Sequence, residues 1–160
     1  DEPGIPAFAA KAQSRNFSSV DTARIAFASA GTVPSSQVIA EWSTQEWVRF
    51  IDGLGATQPL DKLATLDKAF HFTGTPNGEI AMRWYPLTIR SGYVDARPEI
   101  AKFIERVGRR KLIMPIYEEL VKTPDGLAFA QETFARARPG YHPITTGSVE
   151  AVLAKASAGQ

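Results

Sequence analysis

The side chains best suited to chemistry in this 160-residue chain are three cations in a row, Gly108-Arg109-Arg110-Lys111, set ahead of a helical stripe that starts at Leu112. Cations at a helix N-terminus oppose the macrodipole, whereas an anion there is stabilised by the dipole and by free amide N–H groups. An anion site would explain the arrangement. Arg offers a planar bidentate grip and Lys a mobile point charge, so the pair suits a peptide C-terminus or a fatty-acid carboxylate. The other reading is a solvated basic turn paired with Glu105, Glu118 or Glu119. Charge pattern alone leaves both open.

The remaining candidates are weaker. His142, in Tyr141-His142-Pro143-Ile144-Thr145, can act as a general base or ligand, or can pack or cap at a loop-to-helix junction. No second His, Cys or carboxylate pair stands at ligand spacing from it. His71, between Phe70 and Phe72, reads as a residue at a helix C-terminus. Glu79 and Arg83 are four apart, which supports a helical ion pair more than a catalytic acid. Trp42, Trp47 and Trp84 read as core, and Ser35, Ser36, Ser43 and Ser148 as helix caps. There is no Gly-x-Ser-x-Gly turn, phosphate loop or dinucleotide fingerprint.

Composition narrows the function classes further. With no Cys and only two His, and without a His-Glu-x-x-His segment, a self-contained zinc hydrolase is not expected. Eighteen Lys+Arg against seventeen Asp+Glu give net +1, so neither a nucleic-acid partner nor a polybasic membrane contact is expected. No apolar run has the length of a membrane span, and no membrane insertion is expected. The start Asp1-Glu2-Pro3-Gly4-Ile5-Pro6, without an initiator Met, reads as a mature product or an excised piece of something longer. A soluble protein is expected, in cytoplasm or periplasm.

The elements that must position these groups are helices almost throughout. Residues 3–14 read as a linker. Helices are then expected over 17–30, stopped by Gly31; over 36–40; and from the Ser43-Thr44-Gln45-Glu46 capping box, with Trp47, Phe50, Ile51 and Leu54 on one face. Further helices follow from Pro59 to Gly74, from Asn77 with a kink expected near Met82 because Pro86 lies inside, and from Asp95 or Arg97-Pro98-Glu99 to Gly108 as C′. Three more run over 112–121 with Pro115 in the first turn, from Asp125 to Pro139-Gly140, and from Thr145 or Thr146 to Ala156. About eight or nine short helices with short connections favour antiparallel neighbours in a bundle or a two-layer helical stack.

Three segments carry a resemblance. Asn77-Gly78-Glu79-Ile80-Ala81-Met82-Arg83-Trp84-Tyr85-Pro86-Leu87, then Gly108-Arg109-Arg110-Lys111-Leu112-Ile113-Met114-Pro115-Ile116-Tyr117-Glu118-Glu119-Leu120, then Tyr141-His142-Pro143-Ile144-Thr145 resemble, in order and spacing, the C-terminal domain of the leukotriene hydrolase and zinc aminopeptidase family. The opening Glu2-Pro3-Gly4-Ile5-Pro6 is similar to the lead-in to that domain.

The resemblance implies an all-α fold, a two-layer right-handed α-α superhelix of the armadillo or HEAT kind. It implies residues 1–14 as a linker from a missing catalytic domain and 15–160 as a single C-terminal helical domain. It further implies that Arg109 and Lys111 bind the carboxylate of a peptide or lipid substrate in the channel, with Arg110 at the variable place between them. Zinc would then be bound by the missing domain, with no metal ligand and no catalytic residue in this chain. The partners implied are that zinc domain and a short peptide substrate, in a monomer. Met114 stands where relatives can carry a basic residue, which makes the positive surface smaller. A different class of function, a free-standing helical module binding an acidic peptide, would need no missing domain. A small standalone hydrolase using His142 is the third possibility.

Overall fold

The computed structural model describes the backbone of residues 7–159 and the side chains of 17–159. The opening residues Glu2-Pro3-Gly4-Ile5-Pro6 lie outside the described residues. Nine α-helices and two short 3-10 turns, and no strand, occur among the described residues. Contacts divide the chain into two units, Asp1–Gly55 and Ala56–Gln160.

The first unit contains α1 (Ala7–Ala30), α2 (Ser36–Ile39) and α3 (Thr44–Asp52). Helix α1 begins at Ala7 and not at Phe17, so residues 7–14, expected as linker, are helical, because the Ala-rich stretch after Pro6 has high helix propensity and no breaker. The capping box of α3 forms as expected: the Ser43 N–H and hydroxyl both donate to the Glu46 carboxylate, the N–H at 3.0 Å. Helices α1 and α3 pack through Phe27 and Phe50, and Trp42 stands between Phe50 (5.6 Å) and Trp47 (4.8 Å). Asp21 on α1 takes two hydrogen bonds from Arg49 on α3, at 3.1 and 3.0 Å. That guanidinium holds the Asp21 carboxyl below the usual carboxylate range.

The second unit contains α4 (Leu60–Phe70), α5 (Gly78–Ser91), α6 (Arg97–Arg106), α7 (Arg110–Leu120), α8 (Pro124–Ala137) and α9 (Pro143–Ala158). Helix α4 stops at Phe70, short of Gly74, with His71 left-handed at φ 54° as its C-cap. Asp67 is the reason: its carboxylate accepts from the Thr73 N–H at 2.8 Å and the Tyr93 hydroxyl at 3.0 Å, drawing the chain out of the helix. Helix α5 is capped by the Asn77 side chain, which accepts from the N–H groups of Glu79 and Ile80, and it runs on through Pro86.

Helices α5 and α7 run side by side and parallel. Their N-terminal ends meet through Glu79 and Lys111 at 2.9 Å, and their C-terminal ends through Arg90 and Glu119 at 3.3 Å. Helices α6 and α8 repeat the pattern, with Arg97 to Asp125 at 2.5 Å near the starts and Glu105 to Arg136 at 2.7 Å near the ends. Helix α9 lies along the other side of α7: Arg110 reaches Ser148 at 2.9 Å, and Val121 and Lys155 share one surface hollow. Between these ends Trp84, Tyr85, Ile104, Ile113, Ile116 and Tyr117 are buried and form the core.

Candidate functional site

The site forms where the N-terminal ends of α5 and α7 and the start of α9 come together. Gly78 suits this close approach: a Cβ there would come within 2.7 Å of Leu112 Cδ1, a side-chain methyl that would have to shift to make room. The next residue, Glu79, reaches Lys111. The three segments singled out in the sequence thus meet, one supplying Glu79, one the cations and one the buttress behind them.

That buttress holds the loop before α7. The Tyr141 hydroxyl donates to the Ile104 carbonyl at the end of α6, and the Tyr117 hydroxyl lies 3.1 Å from it. The Thr145 hydroxyl donates to the Gly108 carbonyl at 3.4 Å. Gly108 follows the last helical cap as expected, but its backbone is not left-handed, because the Tyr141 and Thr145 contacts set the turn instead.

The three cations differ in their surroundings. Helix α7 begins at Arg110 and not at Leu112, so Arg109 is its N-cap residue, at φ −71° and ψ 114°, and its carbonyl accepts from Leu112 and Ile113. Its side chain is exposed and, among the described residues, its guanidinium has no ion-pair or hydrogen-bond partner. Arg110 donates to Ser148. Lys111, 56% exposed, pairs with Glu79, whose other oxygen takes Arg83 at 3.2 Å. The Lys111 ammonium first, and Arg83 after it, holds the Glu79 carboxyl below its usual range.

The acids first considered for this turn are engaged elsewhere or apart from it. Glu105 pairs with Arg136, and Glu119 with Arg90 and Lys122. Glu79 is the partner that local pattern misses, since its spacing points only to Arg83. The signal available in sequence is the presence of both segments in one family motif, with no distance attached.

The other candidates take structural places. His142 is the N-cap of α9, its Nδ1 accepting from the Ile144 N–H at 3.1 Å. Ser148 is inside α9 and is no cap: its hydroxyl donates to the Ile144 carbonyl and receives Arg110. Trp84 is fully buried and donates to Thr73 at 3.0 Å. Among the described residues no group of three or more His, Asp or Glu gathers as metal donors. None of the described helices is long and apolar enough to cross a membrane.

Comparison with known proteins bears on these residues. The family described as "Leukotriene A4 hydrolase, C-terminal" matches residues 42–153. Leucine aminopeptidase 2 of Neurospora crassa is 29% identical over 120 residues, covering 73% of this chain and 18% of that protein. Leucine aminopeptidase 2-1 of Scheffersomyces stipitis is 36% identical over 83 residues, covering 49% of this chain and 13% of that protein. A leukotriene A-4 hydrolase homolog of Botryotinia fuckeliana is 28% identical over 120 residues, covering 73% and 18%. The chain therefore spans less than a fifth of the length of these curated relatives.

Proposed function

This chain belongs to the leukotriene A4 hydrolase C-terminal family, and from that premise we propose that residues 15–160 are the C-terminal domain of a zinc-dependent aminopeptidase. In this reading the domain forms part of the substrate channel and binds the carboxylate of a short peptide through Arg109 and Lys111. Hydrolysis belongs to a separate domain of the same polypeptide, reached through the first 14 residues and working as a monomer. Zinc belongs there too. The described residues of this chain do not fit it, since no donor group gathers and His142 commits Nδ1 to a helix cap.

The observation that carries the reading is the exposed Arg109 guanidinium, without a partner among the described residues, beside Lys111 at the start of α7 while neighbouring cations are engaged. A free guanidinium offers two parallel N–H groups to a carboxylate, and Lys111 adds donors from the first turn of the same helix. Holding the far end of a short peptide fixes its length and direction in the channel, which favours the reacting geometry at the other end. The parallel rows α5–α7–α9 and α6–α8 support a two-layer right-handed α-α superhelix of the armadillo or HEAT kind.

The test compares, in the full-length protein, cleavage of a tripeptide with cleavage of the same tripeptide as its C-terminal amide. Arg109→Ala is expected to lower kcat/KM for the free acid by about tenfold or more relative to the amide. Equal losses on the two substrates would refute the carboxylate role.

A further inference from the structure

We propose that Glu79 is a positioning residue of this site, a fixed acceptor on α5 that aims the Lys111 ammonium from the first turn of α7. The proposal rests on reading Arg109 and Lys111 as the carboxylate site, and it adds what makes the lysine usable there.

A lysine at an exposed helix start has a flexible four-carbon stem and no preferred direction of its own. Lys111 is given one. Its Nζ lies 2.9 Å from Glu79 Oε1, which takes one of three ammonium donors and leaves two for a ligand. Glu79 is itself held at three points. Its N–H donates to the Asn77 side chain at 3.0 Å, its carbonyl accepts from Arg83 Nη1 at 3.1 Å, and its Oε2 accepts from the same nitrogen at 3.2 Å. The backbone of α5 lies close to α7 at Gly78, where a Cβ would press on the Leu112 side chain. The result is asymmetric: Lys111 has a set direction, while Arg109 has no partner among the described residues and is free to adapt to the ligand.

Glu79 also places a negative charge near an incoming carboxylate. At a water-exposed position that repulsion is screened, whereas a released lysine loses its orientation entirely. Ordering therefore outweighs repulsion, and removing the acceptor weakens ligand binding.

The experiment measures KM and kcat of the full-length protein for the tripeptide and its C-terminal amide, in Glu79→Ala, Glu79→Gln and Arg109→Ala. Glu79→Ala is expected to raise the free-acid KM about three- to tenfold relative to the amide, as the lost ordering of one side chain implies, with the effect in KM and not in kcat. Glu79→Gln keeps an oxygen that accepts from Lys111, so it should restore the ratio to within about twofold. An unchanged or lowered ratio in Glu79→Ala overturns the proposal, and so does a Gln variant as impaired as Ala. If Arg109→Ala shifts the ratio and Glu79→Ala does not, only the role of Glu79 falls. If neither shifts it, the carboxylate reading falls with it.

Discussion

Tyr117 donates its phenolic proton to Tyr141, because Tyr141 commits its own proton to the Ile104 carbonyl. Burial pushes both phenols up. Accepting from Tyr117 offsets part of that for Tyr141, and donating to Tyr141 adds to it for Tyr117.

This chain of hydrogen bonds predicts the outcome of Tyr141→Phe. The substitution leaves the Ile104 carbonyl and the Tyr117 hydroxyl buried without these partners, at a cost of about 1–3 kcal/mol in unfolding free energy. It also removes one of two supports behind Gly108, so amide exchange over residues 108–111 should quicken. Urea unfolding and hydrogen exchange measure the two effects, and a variant as stable and as protected as the parent would refute the strut.

Alkaline titration offers a broader check. All four tyrosines, Tyr85, Tyr93, Tyr117 and Tyr141, have pKa values raised chiefly by burial, with Tyr93 pushed up to about 12. An unfolded tyrosine ionises near about 10. A raised folded pKa means that the folded state retains protons the unfolded state releases, so the stability these groups contribute is complete below about pH 10 and is lost as pH rises through the folded values. Phenolate absorbance of the folded chain at pH 10 should therefore be lower than that of the unfolded chain at the same pH, and it should rise on loss of helical circular dichroism. Half the tyrosines ionised at pH 10 in a folded chain would contradict this.

Two glycines separate conformational need from habit. Gly147 lies inside α9, and a Cβ added there would meet nothing within 4 Å, so Gly147→Ala should stabilise the chain by about 0.5–1 kcal/mol through helix propensity. Gly126 lies in the first turn of α8, where a Cβ would strike the Leu120 carbonyl and sit 2.9 Å from the Thr123 hydroxyl that caps the helix. Gly126→Ala should cost about 1–3 kcal/mol. Thermal unfolding of the pair decides it, and equal midpoints would show that the α7 to α8 connection is looser than described.

Much of this fold is legible locally. The capping box at Ser43, the Asn77 cap, the stop at Gly31 and the apolar faces of α3 and α6 all depend on residues within a few turns of one another. What is not legible depends on distant partners. The end of α4 is set by Asp67 and Tyr93, 26 residues apart in sequence. The start of α7 is set by a loop tied to Tyr141 and Thr145, and no side chain at Arg109 caps it, so the apolar pattern starts the helix two residues late. The site divides in the same way. Arg109 and Lys111 stand out by charge, whereas the pairing of Lys111 with Glu79 spans 32 residues and no periodicity encodes it.

The parallel rows have a kinetic consequence. In residues 56–159 the principal helix pairs, α5 with α7, α6 with α8 and α7 with α8 and α9, join elements no more than two apart along the chain. Such a topology requires little loop closure before contacts reward it, so folding should be fast and able to begin at more than one place. Its counterpart is that opening need not be global: α9 stands at the end of the row, so its amides should exchange before those around the Trp84 and Ile113 core, and because Thr145 holds the Gly108 carbonyl, loosening of α9 would reach the turn that carries Arg109.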